Sequence, residues 1–207
     1  MGTGKRSKAE KRKGTMTKHI GKNLNDTSEA TEGSADLGDL SSRMVIFLDV
    51  DGVLNDIGTH EMIGSYVAVD PKKVAVLKKL CEILRDPVIV LSSSWKEDWY
   101  RDDKESQDIF ADTLDRALAE QGLYISDKTH DRGYDRGKGI RTWLKEHGPV
   151  RGIVILDDEP YDYSEEGLLD YWVQTYWYTP DGGLTESNLL YVQENIARLC
   201  DISPLNG

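Results

Sequence analysis

Two acid pairs carry the residue types and spacing for chemistry. Asp49 and Asp51 stand one residue apart and run into Gly52, and Asp157 and Asp158 are adjacent. Carboxylates gathered at one place cannot be buried unpaired without a large desolvation cost. A hard cation removes that cost: magnesium takes a few carboxylates together with water and phosphate oxygens. With the charge so masked, one carboxylate can attack phosphorus, and another can protonate the leaving oxygen and then activate water. Asp49, Asp51, Asp157 and Asp158 are therefore the candidate ligands of Mg2+, and the first pair holds the candidate catalytic groups. Alone, an Asp-x-Asp-Gly run is as readily a turn. Here each pair closes an apolar run, Met44 to Val50 and Val150 to Leu156, which makes a mere turn the weaker reading.

Further polar residues fit the same chemistry less specifically. Ser92 follows the apolar run Val88–Leu91 and could donate to a phosphoryl oxygen, although Ser92-Ser93-Ser94 also suits a helix cap. Lys138, at the start of an amphipathic stretch, could steady the nucleophile and the transferred charge. Arg132 and Arg136 compete for that task, and most lysines are simply solvated. Ser93, Asn55 and Arg136 complete the candidate substrate contacts, and Trp95 is placed to line a pocket. His60, His130 and His147 lack zinc spacing. Cys81 and Cys200 form neither a metal motif nor a disulfide framework.

The elements that must position these residues follow from hydrophobic periodicity. Buried strands are expected at Met44–Val50, Val88–Leu91 and Val150–Leu156, with shorter candidates at Leu123–Ile125 and Trp172–Tyr178. Helices are expected from Asp70-Pro71, an N-cap followed by proline at the first helical position, then near Gln107–Glu120, over Lys138–His147, and after Thr185. Strands alternating with helices predict an α/β domain with a mainly parallel sheet covered on both faces. In such sheets ligands bind beyond the carboxyl ends of the strands, where all these polar residues fall.

Charge divides the chain. Lys5, Arg6, Lys8, Lys11, Arg12, Lys13, Lys18 and Lys22 face one acid, Glu10, before acids take over, and the net charge is -11. Residues 1–42 lack apolar periodicity and are expected to be a disordered tail, basic and then acidic, ahead of a folded domain over 43–207. A basic arm suits nucleic acid, an acidic membrane surface or an import receptor, or serves only solubility. No apolar run is long enough for a membrane span and no secretory signal is evident. The expectation is an intracellular protein, cytoplasmic, or nuclear in a eukaryote. The oligomeric state is left open.

Order along the chain then separates two phospho-aspartate architectures. A response-regulator receiver has its acid pair first and its phosphorylated Asp later; here Asp-x-Asp comes first. The sequence resembles the haloacid dehalogenase (HAD) superfamily: Asp49-Val50-Asp51-Gly52, Val88-Ile89-Val90-Leu91-Ser92, Lys138 and Ile155-Leu156-Asp157-Asp158 look like its four motifs in order. With Leu91-Ser92-Ser93-Ser94-Trp95, Arg136-Gly137-Lys138-Gly139-Ile140, Leu156-Asp157-Asp158-Glu159, and Val173-Gln174-Thr175 followed by Gly183-Leu184-Thr185, it is most similar to the small HAD domains associated with RNA-repair proteins. The resemblance implies a three-layer Rossmann-like fold with little or no cap and a phosphatase forming an aspartyl-phosphate. In it Asp49 is the nucleophile and Asp51 the acid/base. Magnesium is held by Asp49, the Asp51 carbonyl and Asp157 or Asp158, and the phosphoryl group by Ser92 and Lys138. An uncapped site implies large substrates or closure by a partner. A nucleic-acid or nucleotide phosphate is the first expectation for the substrate. A small metabolite, a phosphoprotein, or a catalytically weak binding module are the alternatives. The aromatic, acidic stretch Tyr161–Trp177 does not align with the family pattern.

Overall fold

The structure, a computed structural model, describes residues 37–131 and 133–206. In chain order the elements are β1 (Met44–Leu48), a hairpin of β2 (Met62–Ile63) and β3 (Tyr66–Val67), α1 (Pro71–Leu84), β4 (Val88–Leu91), α2 (Ile109–Ala119), β5 (Asp127–Lys128), α3 (Arg136–His147), β6 (Gly152–Asp157), β7 (Trp172–Gln174) and α4 (Glu186–Leu199). Five strands form one parallel sheet in the order β5-β4-β1-β6-β7. The three central strands are buried along their whole length, as continuous apolar runs between two helical layers must be.

Alternation along β1 assigns the layers. Phe47 meets Trp143 of α3 edge to face at 5.4 Å on one side of the sheet. Met44 points the other way and touches Cys200, just past α4. α1 packs against both α2 and α4. The fold is therefore an α/β sandwich of three layers with a Rossmann-like parallel sheet. From β1 the chain winds outward to β4 and β5, then returns across β1 to β6. The direction of winding reverses between β1 and β6, which opens a crevice at their carboxyl ends.

Local signals set most boundaries. Asp70 accepts from the Lys72 backbone N–H at 2.8 Å and Pro71 opens α1. Arg85 and Asp86 both take positive φ before Pro87, ending α1 where an X-Pro step disfavours helix. Thr185 precedes α4, where the Asn188 side chain reaches back to the Thr185 N–H at 2.9 Å, a capping arrangement.

Several elements differ from the sequence reading. The strand beside β4 lies at Asp127–Lys128, not Leu123–Ile125, because its polar side chains find partners inside the fold. Asp127 accepts from Trp143 Nε1 at 2.8 Å, and Lys128 donates to the Trp99 carbonyl at 2.7 Å. α3 begins at Arg136, two residues early. β7 stops at Gln174. The hairpin β2–β3 has no counterpart in the periodicity; it is the sole structured insertion between β1 and α1, and no larger cap exists among the described residues. Residues 1–36 and Arg132 lie outside the described residues. Of the tail expected over 1–42, Leu40 is buried and Leu37 packs against the core. No helix among the described residues is long and apolar enough to cross a membrane.

Candidate active site

β1 and β6 deliver the acids to the crevice. Asp49 follows β1 directly, and its N–H donates to the Leu156 carbonyl at 3.0 Å, so its height is set by the sheet ladder. Asp157 ends β6, and Asp158 follows. One carboxylate oxygen from each of Asp49, Asp157 and Asp158 lies within 4.8 Å of the others. Asp49 and Asp157 are buried, Asp158 half-buried. Gly52 brings the β1 loop against Asp158: it holds φ +84°, and a Cβ there would lie 2.5 Å from Asp158 Cγ. Only glycine tolerates both the left-handed backbone and that approach.

Arg136 is the cation that enters this cluster. Its Nη1 lies 2.8 Å from Asp49 Oδ2 and 2.7 Å from Asp157 Oδ2, and its side chain is 7 % exposed. Burial disfavours its charge, but Asp49 and Asp157 outweigh burial and hold the guanidinium firmly protonated. The same burial pushes the Asp157 carboxyl upward, with the Asp49 charge adding to it and Arg136 opposing. Asp158 is pushed up to about 7 by burial and by Asp49. Among the described residues, the three carboxylates when ionised outnumber the one guanidinium in direct contact with them. Asp49 Oδ1, moreover, is buried without a hydrogen-bond partner among the described residues. A divalent, oxygen-seeking cation matches both the charge and the donor set. Asp49, Asp157 and Asp158 are the residues that would hold it.

Lys138 does not join the cluster. It is exposed, its backbone N–H donates to Asp162 Oδ2 at 3.0 Å, and it lines a surface groove with Arg141, Thr142 and Val150. The cation beside Asp49 is Arg136, two residues earlier, because α3 starts one half-turn sooner than its apolar pattern suggests.

The remaining candidates divide. Ser92 is fully buried at the end of β4, and its hydroxyl has no hydrogen-bond partner among the described residues. Ser93 instead accepts from the Trp95 N–H at 3.3 Å, capping a short turn. Asn55 is buried; its Oδ1 accepts from Gly52 N at 2.9 Å and its Nδ2 donates to Asp51 Oδ1 at 3.1 Å. Asn55 thus braces the loop and Asp51. Asp51 is exposed, and its other oxygen accepts from Trp95 Nε1 at 3.1 Å.

The stretch Tyr161–Trp177 supports the site from below. The Tyr161 ring lies 4.1 Å under Arg136 Cζ, from a backbone held at φ 36°. Asp162 accepts from Gly137 N at 2.6 Å and Lys138 N, placing a carboxylate on the positive end of α3. Tyr163 donates to Asp157 Oδ2 at 2.8 Å, and Trp172 Nε1 to the Asp157 carbonyl at 2.9 Å. Burial and then the Asp157 charge drive the Tyr163 hydroxyl far up, so it remains a donor. Sequence reasoning also misses a second buried cation, Lys96. Its Nζ lies 2.6 Å from Asp131 Oδ1 and 2.9 Å from Thr129 Oγ1. Burial lowers its pKa, with Asp131 opposing. Its sole sequence signal is its place four residues after Ser92.

A Rossmann-like parallel sheet with an acid cluster at its switch point is the arrangement of a HAD domain. The chain belongs to the family described as the HAD domain in Swiss Army Knife RNA repair proteins, which matches residues 45–189. No curated protein and no solved structure matches the chain.

Proposed function

We propose that the protein is a magnesium-dependent phosphomonoester hydrolase working through an aspartyl-phosphate on Asp49. The observation that carries this reading is the Asp49–Asp157–Asp158 cluster, with its buried, unpartnered Asp49 Oδ1. When bound, magnesium would screen the acids from the substrate and draw charge from the phosphoryl oxygens. Arg136 holds Asp49 by one oxygen and presents positive charge where the transferred group gains negative charge. An oxygen of Asp49 attacks phosphorus, and the P–O ester bond breaks. The departing oxygen takes a proton from Asp51. Asp51 then accepts a proton from water, whose oxygen attacks phosphorus and releases inorganic phosphate, restoring Asp49. The Ser92 hydroxyl, just past β4 at the same end of the sheet, would serve as a donor for a phosphoryl oxygen.

For the substrate, a phosphorylated nucleic-acid end or nucleotide is favoured by two facts. The family is described from RNA repair proteins, and the chain carries a basic segment before Lys22. Phosphate-backbone binding is salt-dependent in proportion to the charges engaged. The test is a panel of phosphate monoesters and phosphorylated oligonucleotides, with and without magnesium, run beside Asp49→Asn and a chain lacking residues 1–36. Asp49→Asn should abolish magnesium-dependent release. The shortened chain should keep activity on small esters but bind oligonucleotide more weakly, with a flatter salt dependence. No release from any ester would overturn the hydrolase reading, and an unchanged oligonucleotide affinity would remove the arm from it.

A further inference from the structure

Asn55 and Trp95 each donate to one carboxylate oxygen of Asp51, and these two donors are unequal in kind. Asn55 belongs to the same loop and moves with it. Trp95 comes from beyond β4 and is 4 % exposed. Its indole is fixed from several sides. Its backbone N–H is capped by Ser93, and Phe110 of α2 meets its ring edge to face at 5.2 Å. Phe110 in turn meets Tyr66 of the β2–β3 hairpin at 5.5 Å, again edge to face. A row of three aromatic rings thus runs from the hairpin to the Asp51 carboxylate.

We propose that Trp95 is a positioning residue for proton transfer. Its N–H fixes the rotation of the Asp51 carboxylate, and the Phe110–Tyr66 contact ties that grip to the hairpin. This rests on the hydrolase reading above. A carboxylic acid must lie within hydrogen-bond reach of the departing oxygen to protonate it. A carboxyl group free to rotate spends little time there. The hairpin is inserted between β1 and α1, in the same connection that carries Asp51. A substrate that presses on Tyr66 therefore bears on the proton donor through two ring contacts.

The leaving group separates this role from a merely structural one. An alkyl phosphate needs its oxygen protonated as it departs. p-Nitrophenyl phosphate releases a stable phenolate and needs it far less. kcat/KM covers only the steps up to that departure. Trp95→Phe keeps a ring against Phe110 but removes the donor, since the indole N–H has no counterpart in phenylalanine. Its kcat/KM should fall about tenfold or more for an alkyl phosphate, within the range that general acids contribute, and about threefold or less for p-nitrophenyl phosphate. Phe110→Leu, which leaves the N–H and loosens the ring, should show the same selectivity with a smaller loss, and it decides the matter if Trp95→Phe does not fold. In 1H–15N spectra of the metal-free protein, the Trp95 indole resonance should move in Asp51→Ala. Equal losses on both esters, or no loss on either, would overturn the proposal while leaving the hydrolase reading intact. An indole resonance unmoved by Asp51→Ala would overturn it too. A wild type inactive on both esters would overturn the hydrolase reading itself.

Discussion

Arg136 shows how much one side chain carries at the residue scale. It bridges two buried carboxylates, and removing one partner of such a group leaves charge buried without compensation. Arg136→Met should destabilise the metal-free protein by about 3–5 kcal/mol, read by urea titration. Part of that loss should return on adding magnesium, because the cation neutralises the same acids. Arg136→Lys should recover less than charge alone suggests, since an ammonium cannot stack on the Tyr161 ring as the planar guanidinium does. The gathering of Asp49, Asp157 and Asp158 is legible in the sequence because carboxylates closing buried strands demand a compensating charge; Asp51, expected beside them as a metal ligand, instead stands exposed and accepts from Asn55 and Trp95. Arg136 is visible in the sequence as a rival to Lys138 and as a candidate substrate contact. Which of two basic residues near a helix start turns inward depends on where the first turn begins, and Asp162 fixes that from 24 residues away. The Lys96–Asp131 pair is illegible for the same reason: its partners are 35 residues apart, and nothing local marks them.

At the scale of elements, α3 is held at both ends. Its start presents Arg136 to the site, and its end is tied to β5. There Asp127 accepts from Trp143 Nε1 and lies 3.2 Å from His147 Nε2, while His147 stacks on Trp143 at 4.0 Å. Burial opposes charge on His147, but the Asp127 hydrogen bond prevails and raises its pKa. For Asp127 burial is likewise outweighed, by His147 and Trp143, and its pKa is lowered. A raised histidine stabilises fully below its unfolded value near 6.5, and the benefit fades as pH rises through the folded value. A lowered carboxylate stabilises above its unfolded value near 3.8, and the benefit is lost as pH falls through the folded one. The pair should therefore help most from about pH 4 to 6.5. His147→Gln should cost about 1 kcal/mol there, by chemical denaturation, and less at pH 8 to 9. Periodicity misplaces β5 because Leu123–Ile125 carries the apolar pattern, whereas Asp127–Lys128 is buried by virtue of partners on α3 and after β4. The three long apolar strands and α1 and α4 are legible, since periodicity and caps agree there. The hairpin is not, because two-residue strands leave no period to read.

At the scale of the whole molecule, the acid cluster is a store of unfavourable charge that a bound cation relieves. A ligand that binds only the folded state stabilises it, by about 2.7 kcal/mol at a hundred times its Kd. Magnesium should raise the melting temperature of the wild type, and Asp158→Asn should blunt the rise, as differential scanning calorimetry would record. A melting temperature indifferent to magnesium at millimolar concentration would count against a resident divalent ion. The placement of the cluster also has a consequence in time. β1 and β6 are neighbours in the sheet yet separated by roughly a hundred residues of chain, and such distant pairings close late and slowly. α1 and β4 can assemble with β1 while β6 is still unpaired, so helix content recovers before any acid from β6 reaches Asp49. Catalytic competence would then return late on refolding, arriving in one step with β6.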